Sequence, residues 1–374
     1  MSYSDADREF MARALVLAAR GLYTTTPNPR VGCVIVKDGA IVGEGWHEAA
    51  GKPHAEADAL REAGANARGA TLYVTLEPCS HHGRTPPCAD AVIEAGIARL
   101  VAAMQDPNPL VAGQGFERLR SAGIAVSFGL MQEEANELNI GFVSRMARGR
   151  PWVRMKVAAT LDGRTALANG RSQWITGEAA RRDGHHFRAR ACAVLTGIGT
   201  VKDDDPRLNV RHVATPRQPL RVLIDSRLEA SPEARLFEGG NVLVVAARED
   251  GAKSAALRAR GAEVIVIPNA EGKTDLPRVL VELVRRGINE VHVEAGTRLN
   301  GSLLREGCVD ELLVYLAPSL IGDSGRGMFS LPEFTDLAQK ISLSIREVSR
   351  VGDDIRIIAR LQGGIPMPPR AERK

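Results

Sequence analysis

Two short runs and one further cysteine organise the first third of the chain: Pro53-His54-Ala55-Glu56, then Glu77-Pro78-Cys79, then Cys88 after eight intervening residues. Together they supply one imidazole, two thiols and a carboxylate two residues from the imidazole. A catalytic zinc ion typically has three protein ligands in a tetrahedral site and keeps one position for water. His54, Cys79 and Cys88 make up that set, which leaves Glu56 as a proton carrier beside the metal.

The flanking sequence predicts the elements that present these side chains. Strands are expected over 31–36 and 41–45, joined by a hairpin turn at Asp38-Gly39, and over 71–76, with Cys79 at the tip. Helices are expected to begin at Pro53 and near Cys88. Because residues two apart on a helix do not share a face, His54 and Glu56 should approach the metal from different sides.

The order H-x-E, then P-C and a second cysteine, is the signature of zinc-dependent base deaminases. Its usual C-x-x-C spacing is replaced here by eight residues between the thiols, and His81 and His82 within them remain open as competing ligands. A structural zinc site, or packing without metal, is the alternative. The four residues occur together in this order, which favours a catalytic centre with one zinc per chain. Cys33, Cys192 and Cys308 are expected to be bystanders.

Composition limits the class of protein. The 374 residues suggest two domains, and 44% hydrophobic residues with 4% aromatics predict cores of small aliphatic side chains. No apolar run approaches the roughly 20 residues that span a bilayer, and a net charge of +4 is too diffuse to indicate nucleic-acid binding. Five dispersed cysteines argue against a disulfide framework, so we expect a cytoplasmic protein.

The first half is expected to form a three-layer α/β domain with a mixed sheet. Helices are expected over 4–20, 115–122 and 133–147, and strands over 100–104 and 124–128. The breaker-rich run 148–151 marks the boundary. The expected domains are 1–147 and 151–362, with a polar tail over 363–374.

Asn28 stands between Pro27 and Pro29, which hold it extended. Its amide offers a donor and an acceptor and suits the edge of a base, whereas a plain turn residue is the alternative. His47, at the end of the hairpin, is a similar case.

The second half alternates strands and glycine-bearing turns. Strands are expected over 152–159, 193–196, 220–224, 241–246, 264–267 and 290–294. The turns over 197–206 and 295–301 lie between a strand and a helix, where phosphate groups often bind. Neither has the G-x-G-x-x-G pattern, so no Rossmann fingerprint is present, and a plain connection is equally consistent with the sequence.

The combined motifs resemble the bifunctional deaminase/reductase family of riboflavin biosynthesis. The first half carries the resemblance through His54-Ala55-Glu56, Pro78-Cys79 and Cys88, preceded by Pro27-Asn28-Pro29. The second half carries it through Thr160-Leu161-Asp162-Gly163-Arg164, Ser172-Gln173-Trp174-Ile175-Thr176, Asp204-Asp205-Pro206 and Val293-Glu294-Ala295-Gly296. It covers the chain up to about Gly363.

The resemblance implies a cytidine-deaminase-like N-terminal domain and a dihydrofolate-reductase-like α/β C-terminal domain. It implies a phosphorylated pyrimidine ribotide as substrate, which is first deaminated at a zinc centre and then reduced by NADPH on its ribosyl side chain. The implied NADPH contacts are Ala158, Trp174, Thr200, Asp204, Ser226, Gly296, Thr297, Arg298, Leu299, Asn300 and Gly301. The implied substrate contacts are Ser172, Arg188, Leu208, Arg211 and Glu294.

The residue types suit these implied roles. Arg188 and Arg211 can pair with a phosphate through parallel N–H donors, and Trp174 offers a flat face to a ring. Asp204 can accept from a ribose hydroxyl or orient Lys156, and a solvated turn is the alternative.

Two other functions compete with this interpretation: a zinc deaminase whose second domain only binds a nucleotide or RNA, and a structural zinc domain of an assembly protein. With three Trp and four Tyr, the chain shows no stacking platform for nucleic acid. We therefore expect no nucleic-acid or membrane partner, and a homo-oligomer is left open.

Overall fold

The computed structural model describes residues 3–80, 87–109 and 111–362. His81, His82 and the predicted tail over 363–374 therefore lie outside the described residues. The chain forms two compact units, Met1–Arg150 and Pro151–Lys374. No helix within the described ranges is long and apolar enough to cross a membrane.

The first unit contains a mixed five-stranded sheet in the order β2-β1-β3-β4-β5. Its elements are α1 (Asp5–Ala19), β1 (Gly32–Lys37), β2 (Ala40–Trp46), α2 (Ala55–Ala63), β3 (Thr71–Val74), α3 (Cys88–Glu94), β4 (Arg99–Ala102), α4 (Gln114–Ser121), β5 (Ala125–Phe128), α5 (Gln132–Leu138) and α6 (Ile140–Arg148). Strand β1 is antiparallel to β2 and β3, while β3, β4 and β5 run parallel. The expected mixed sheet is confirmed.

Local signals account for the first elements. Ser4 and Asp7 form a reciprocal capping box that begins α1. The predicted hairpin turn is confirmed, since Asp38 and Gly39 both have positive φ, at 52° and 78°. Strand β3 ends at Val74, two residues earlier than expected, so Cys79 lies in the following loop rather than at the strand tip.

The single helix expected over 133–147 is wrong, because Asn139 divides it into α5 and α6. Its buried side chain accepts from the backbone N–H of Arg30 and donates to the carbonyl of Arg30, both at 2.8 Å. At φ −107° Asn139 does not continue the helix. A contact with a distant loop therefore overrides the local helical preference.

The second unit contains a nine-stranded sheet in the order β11-β10-β9-β8-β12-β6-β13-β16-β15 and a two-stranded sheet, β14-β7. Its elements are β6 (Trp152–Thr160), β7 (Arg164–Ala166), α7 (Glu178–Arg190), β8 (Ala193–Gly197), α8 (Ile198–Asp204), β9 (Leu220–Ile224), β10 (Val242–Ala246), α9 (Gly251–Ala259), β11 (Ala262–Val266), α10 (Leu276–Arg285), β12 (Glu290–Val293), α11 (Thr297–Arg305), β13 (Glu311–Ala317), β14 (Arg326–Gly327), β15 (Leu343–Val351) and β16 (Asp354–Leu361). Every strand expected in this half is present; the strand over 220–224 has the expected bounds, and the bounds of the others differ by one or two residues.

Glycines bring α2 into backbone contact with β2. A Cβ atom at Gly45 would lie 2.1 Å from the carbonyl oxygen of Ala55, and one at Gly43 would lie 2.2 Å from that of Ala59. The helix that follows His54 therefore rests directly on the strand, which places its first turn close to the sheet.

We predict that Gly45→Ala destabilises the first unit by about 1–3 kcal/mol, because the added methyl group must push α2 away from β2. Hydrogen exchange of the β1 and β2 amides measures this unit alone. Gly184→Ala in α7 is the matched control, since a Cβ atom there meets nothing within 4 Å. Equal protection of the β1 and β2 amides in both variants would contradict the prediction.

Candidate functional site

Three donor atoms converge in the first unit. His54 immediately precedes α2, Cys79 lies in the loop after β3, and Cys88 begins α3. Nδ1 of His54 lies 3.2 Å from Sγ of Cys88 and 3.6 Å from Sγ of Cys79. Tetrahedral zinc with bonds of about 2.0 Å to nitrogen and 2.3 Å to sulfur needs N···S separations of about 3.5 Å, so the donors fit this metal. They form the one such cluster within the described ranges.

The two thiols differ in their readiness to ionise. The Cys88 thiol donates a hydrogen bond to Cys79. This bond, together with His54 and the backbone N–H of Cys88, lowers the pKa of Cys79 to about 4, although burial acts in the opposite direction. That backbone N–H lies 3.3 Å from Sγ of Cys79. Since the thiolate is the form that binds metal, the lowered pKa favours metal binding by Cys79.

Glu56 lies in the first turn of α2 and is buried. Burial, followed by the charge of Cys79, raises the pKa of Glu56 to about 7. A carboxyl group with a pKa near neutrality can both accept and release a proton, which is the property required of a proton carrier.

Asn28 and His47 lie beside the metal centre. The His47 and His54 rings meet edge to face with centroids 5.5 Å apart. Nδ1 of His47 donates to the carbonyl of Pro53 at 2.9 Å, which leaves Nε2 to accept from the Asn28 amide nitrogen at 3.1 Å. Burial lowers the pKa of His47, in keeping with this neutral form. The amide oxygen of Asn28 takes no part in that bond.

The second unit has a cavity of about 1230 Å³. All but one of the NADPH and substrate contacts implied by the resemblance line this cavity. They are Ala158, Ser172, Trp174, Arg188, Thr200, Asp204, Leu208, Arg211, Ser226, Glu294, Gly296, Thr297, Arg298, Leu299 and Asn300. Gly301 is not among the lining residues, because it lies within α11, where a Cβ atom would be 2.0 Å from the carbonyl oxygen of Ser330.

The cavity fits a dinucleotide such as NADPH. Its volume exceeds the roughly 300–1,000 Å³ of an ordinary small-molecule site. Helix α11 begins at Thr297, the preceding Gly296 provides no side-chain cap, and Gly296, Thr297 and Arg298 line the cavity. Uncapped N–H groups at a helix start are suited to phosphate oxygens.

Arg188 and Glu294 form a closely paired couple in the cavity. Nε and Nη2 of Arg188 donate to the two carboxylate oxygens at 2.7 and 2.9 Å, and Nη1 donates to the carbonyl of Asn209 at 2.6 Å. Burial opposes ionisation of Glu294, but Arg188, with His292 and Lys156, lowers its pKa well below the usual value. The Nε and Nη2 donors of Arg188, the pair that could bind a phosphate, are therefore already bonded to Glu294.

Polar contacts also organise the mouth of the cavity. Ser172 donates to Asp204 at 3.0 Å, and no bond joins Asp204 to Lys156 among the contacts of the described residues. The ring of Trp174 is 66% exposed and faces the Arg181 guanidinium at 4.7 Å. Sequence reasoning missed two arginines that line the cavity, Arg181 and Arg326. Arg326 lies on the two-residue strand β14 and pairs with Asp203 at 3.1 Å. A strand this short leaves no periodic signal.

Family models match both units of the chain. Residues 4–104 match the cytidine and deoxycytidylate deaminase zinc-binding region, and residues 151–357 match the RibD C-terminal domain. The fold class expected from the resemblance, a cytidine-deaminase-like domain followed by an α/β reductase domain, is confirmed.

Individual proteins are similar over nearly the whole chain. The riboflavin biosynthesis protein RibD of Escherichia coli (strain K12) is 50% identical over 361 residues, which cover 93% of this chain and 98% of that protein. The structure of Acinetobacter baumannii RibD superposes with a TM-score of 0.89 at 45% identity, covering 96% and 99%. That of a diaminohydroxyphosphoribosylaminopyrimidine deaminase/5-amino-6-(5-phosphoribosylamino)uracil reductase from Thermotoga maritima superposes with a TM-score of 0.84 at 35% identity, covering 96% and 99%.

We predict that Cys79→Ser loses most of the bound zinc, because it removes one thiolate of the donor set, whereas Cys33→Ser keeps it. Cys33 is buried on β1 and belongs to no donor cluster in the described residues. Metal analysis of the purified full-length variants measures the difference. Equal zinc content in the two proteins would contradict the ligand assignment.

Proposed function

This chain belongs to the RibD family of bifunctional riboflavin biosynthesis proteins, and we propose that its residues divide the two reactions of that family between the metal centre and the second cavity. It is a zinc-dependent deaminase and an NADPH-dependent reductase. The first reaction hydrolyses the 2-amino group of 2,5-diamino-6-(5-phosphoribosylamino)pyrimidin-4-one. The second reduces the ribosyl side chain to give 5-amino-6-(5-phosphoribitylamino)uracil.

Deamination is assigned to the first unit. The observation that carries the assignment is the convergence of His54, Cys79 and Cys88, which would hold zinc, with Glu56 buried beside them. When bound, zinc supplies the Lewis acidity that makes water nucleophilic near neutral pH. A carboxylate oxygen of Glu56 takes a proton from the attacking water and returns it to the departing amino group.

Asn28 is assigned to the edge of the pyrimidine. Because His47 already accepts from its amide nitrogen, the amide oxygen remains to accept from an N–H of the substrate ring. His47, held by the carbonyl of Pro53, fixes the direction of that oxygen.

Reduction is assigned to the cavity of the second unit. When bound, NADPH supplies the hydride, so the protein is needed mainly for position and exclusion of water. Gly296 to Asn300 at the start of α11, with Thr200 and Ser226, would hold the cofactor. The substrate phosphate is assigned to Arg211, since the parallel donors of Arg188 are paired with Glu294.

We predict that the two reactions can be separated by mutation. Glu56→Gln keeps the shape of the side chain but removes the proton carrier, which should slow deamination by about 10²-fold or more. Its reduction of supplied deaminated ribotide should match the wild type. Asp204→Ala and Trp174→Ala should slow reduction while deamination continues and the uracil intermediate accumulates. Product analysis of each of the three variants with the diaminopyrimidine ribotide and with the deaminated ribotide measures all six cases.

Glu62→Gln is the control for Glu56→Gln. Glu62→Gln makes the same change on an exposed residue of the same helix, where the side chain accepts from the backbone N–H of Glu44 at 2.7 Å, and both rates should remain unchanged. If Glu56→Gln abolished reduction of supplied intermediate in a folded protein, one shared site would replace the two-site assignment.

We also propose that a second copy of this chain covers an apolar face on the last strands of the large sheet. One side of β15 and β16 presents Leu343, Ile345, Val348, Ile355 and Ile357. Ile345 and Val348 are 64% and 60% exposed. Exposed patches of this kind are uncommon on monomeric proteins.

The composition of this face favours self-association over a different partner. Apart from Arg350, its side chains are uncharged, so two copies related by a twofold axis meet without opposing like charges over most of the contact. Strand β15 also ends the sheet and, among the described strands, pairs only with β16. An open edge of this kind is usually covered or blocked.

We predict that the double variant Ile345→Glu/Val348→Glu is monomeric, because both copies would bury unpaired carboxylates at the interface. Sedimentation velocity measures the mass. Val16→Glu is the matched control, since Val16 is 56% exposed on α1 and lies outside this face. A wild-type chain that sediments as a monomer, or a double variant of unchanged mass, would contradict the proposal.

A further inference from the structure

Glu77 is a buried carboxylate whose bonds the proposed reactions do not use. Its side chain accepts four backbone N–H groups from the segment 106–116. Oε2 accepts from Asp106 and Gly113 at 3.1 and 2.9 Å, and Oε1 accepts from Gly115 and Phe116 at 2.8 and 3.3 Å. All four bonds join a residue two positions before Cys79 to a segment about 30–40 positions further along the chain.

Glu77 supplies the cap that α4 does not provide for itself. The residue preceding α4 is Gly113, at φ 84°, and no side chain of its own caps the helix. Gly115 and Phe116 are the second and third residues of α4, whose N–H groups have no partner within the helix. A carboxylate at this position satisfies those donors and also interacts favourably with the positive end of the helix dipole.

The same contact reaches the backbone that carries Cys79. A Cβ atom at Gly115 would lie 2.1 Å from the carbonyl oxygen of Pro78, so α4 packs directly on the peptide bond before Cys79. The backbone N–H of Glu77 donates to Met104 at 3.0 Å, and that of Ala89 donates to the carbonyl of Cys79 at 3.1 Å. The thiolate is therefore placed by the loop around it, and Glu77 ties that loop to α4.

We propose that Glu77 is a positioning residue for the metal centre: by capping α4 from the loop that carries Cys79, it holds this thiolate at the distance from His54 and Cys88 that zinc requires. The inference rests on the proposed ligand set. Partners that orient metal ligands typically contribute about 10–100-fold to metal affinity.

The test compares Glu77→Gln with Asp7→Asn in the full-length protein. Glu77→Gln keeps the volume but turns an amide N–H₂ toward backbone donors. Asp7 is also a buried carboxylate of the first unit, bonded to Tyr73 and Arg99 rather than to the metal loop. Both variants should melt at lower temperature. Only Glu77→Gln should weaken zinc binding by about 10-fold or more in chelator competition and alter the visible absorption of the Co²⁺-substituted protein.

Gly115→Ala tests the coupling while Glu77 keeps its carboxylate, since the added methyl group would meet the Pro78 carbonyl oxygen at 2.1 Å and lie 3.1 Å from Oε1 of Glu77. It should weaken zinc binding in the same way, while reduction of supplied intermediate reports that the second unit is folded. Unchanged zinc affinity and cobalt spectrum in a folded Glu77→Gln or Gly115→Ala protein would overturn the inference. An equal loss in Asp7→Asn would also overturn it, because Glu77 would then contribute only general stability. Cys79→Ser tests the proposed ligand set on its own. If that variant retained zinc, the ligand set would be wrong, whatever the effect of Glu77.

Discussion

The metal centre depends on how closely helices approach the first sheet. Gly43 and Gly45 let the backbone of α2 lie on β2. On the opposite face of the sheet, Gly32 lets the backbone of α1 lie on β1, since a Cβ atom at Gly32 would be 2.0 Å from the carbonyl oxygen of Ala14. Three layers in backbone contact need few large side chains, which agrees with the low aromatic content. The consequence for chemistry is that the start of α2 lies close to the sheet, within reach of the loop that follows β3.

The second unit is organised by paired charges in its interior. On the sheet face that packs against α7, Arg154 is almost fully buried and contacts Glu311 and Glu290 at 2.5 and 3.4 Å. Strand register places Glu311 directly opposite Arg154. Each carboxylate has a second arginine partner: Glu290 pairs with Arg190 at 2.7 Å and Glu311 with Arg360 at 3.2 Å. These charged residues constrain one another's positions. Glu290 is the first residue of β12, and Glu294 of the cavity directly follows that strand.

Sequence reasoning succeeded where the signal was local. The helix expected over 4–20, the hairpin turn at Asp38-Gly39 and the convergence of His54, Cys79 and Cys88 each follow from neighbouring residues or from one motif. It failed where a distant segment decides the outcome. The split at Asn139 depends on Arg30, and the bonds of Glu77 depend on the segment 106–116. Neither partner can be identified from spacing, because the folded chain alone brings them together.

The two cavity arginines show why residue type does not by itself assign a role. Arg188 and Arg211 both carry the donors that suit a phosphate. What separates them is Glu294, which accepts from the parallel donors of Arg188 and would lose the larger part of its stabilising charge if that guanidinium turned toward a ligand. Arg211 has no ion-pair partner among the described residues, and its Nη1 makes only a 3.4 Å contact with Asn209. An anionic substrate group would therefore meet less competition at Arg211, while Arg188 lowers the pKa of Glu294 and holds its carboxylate through two hydrogen bonds.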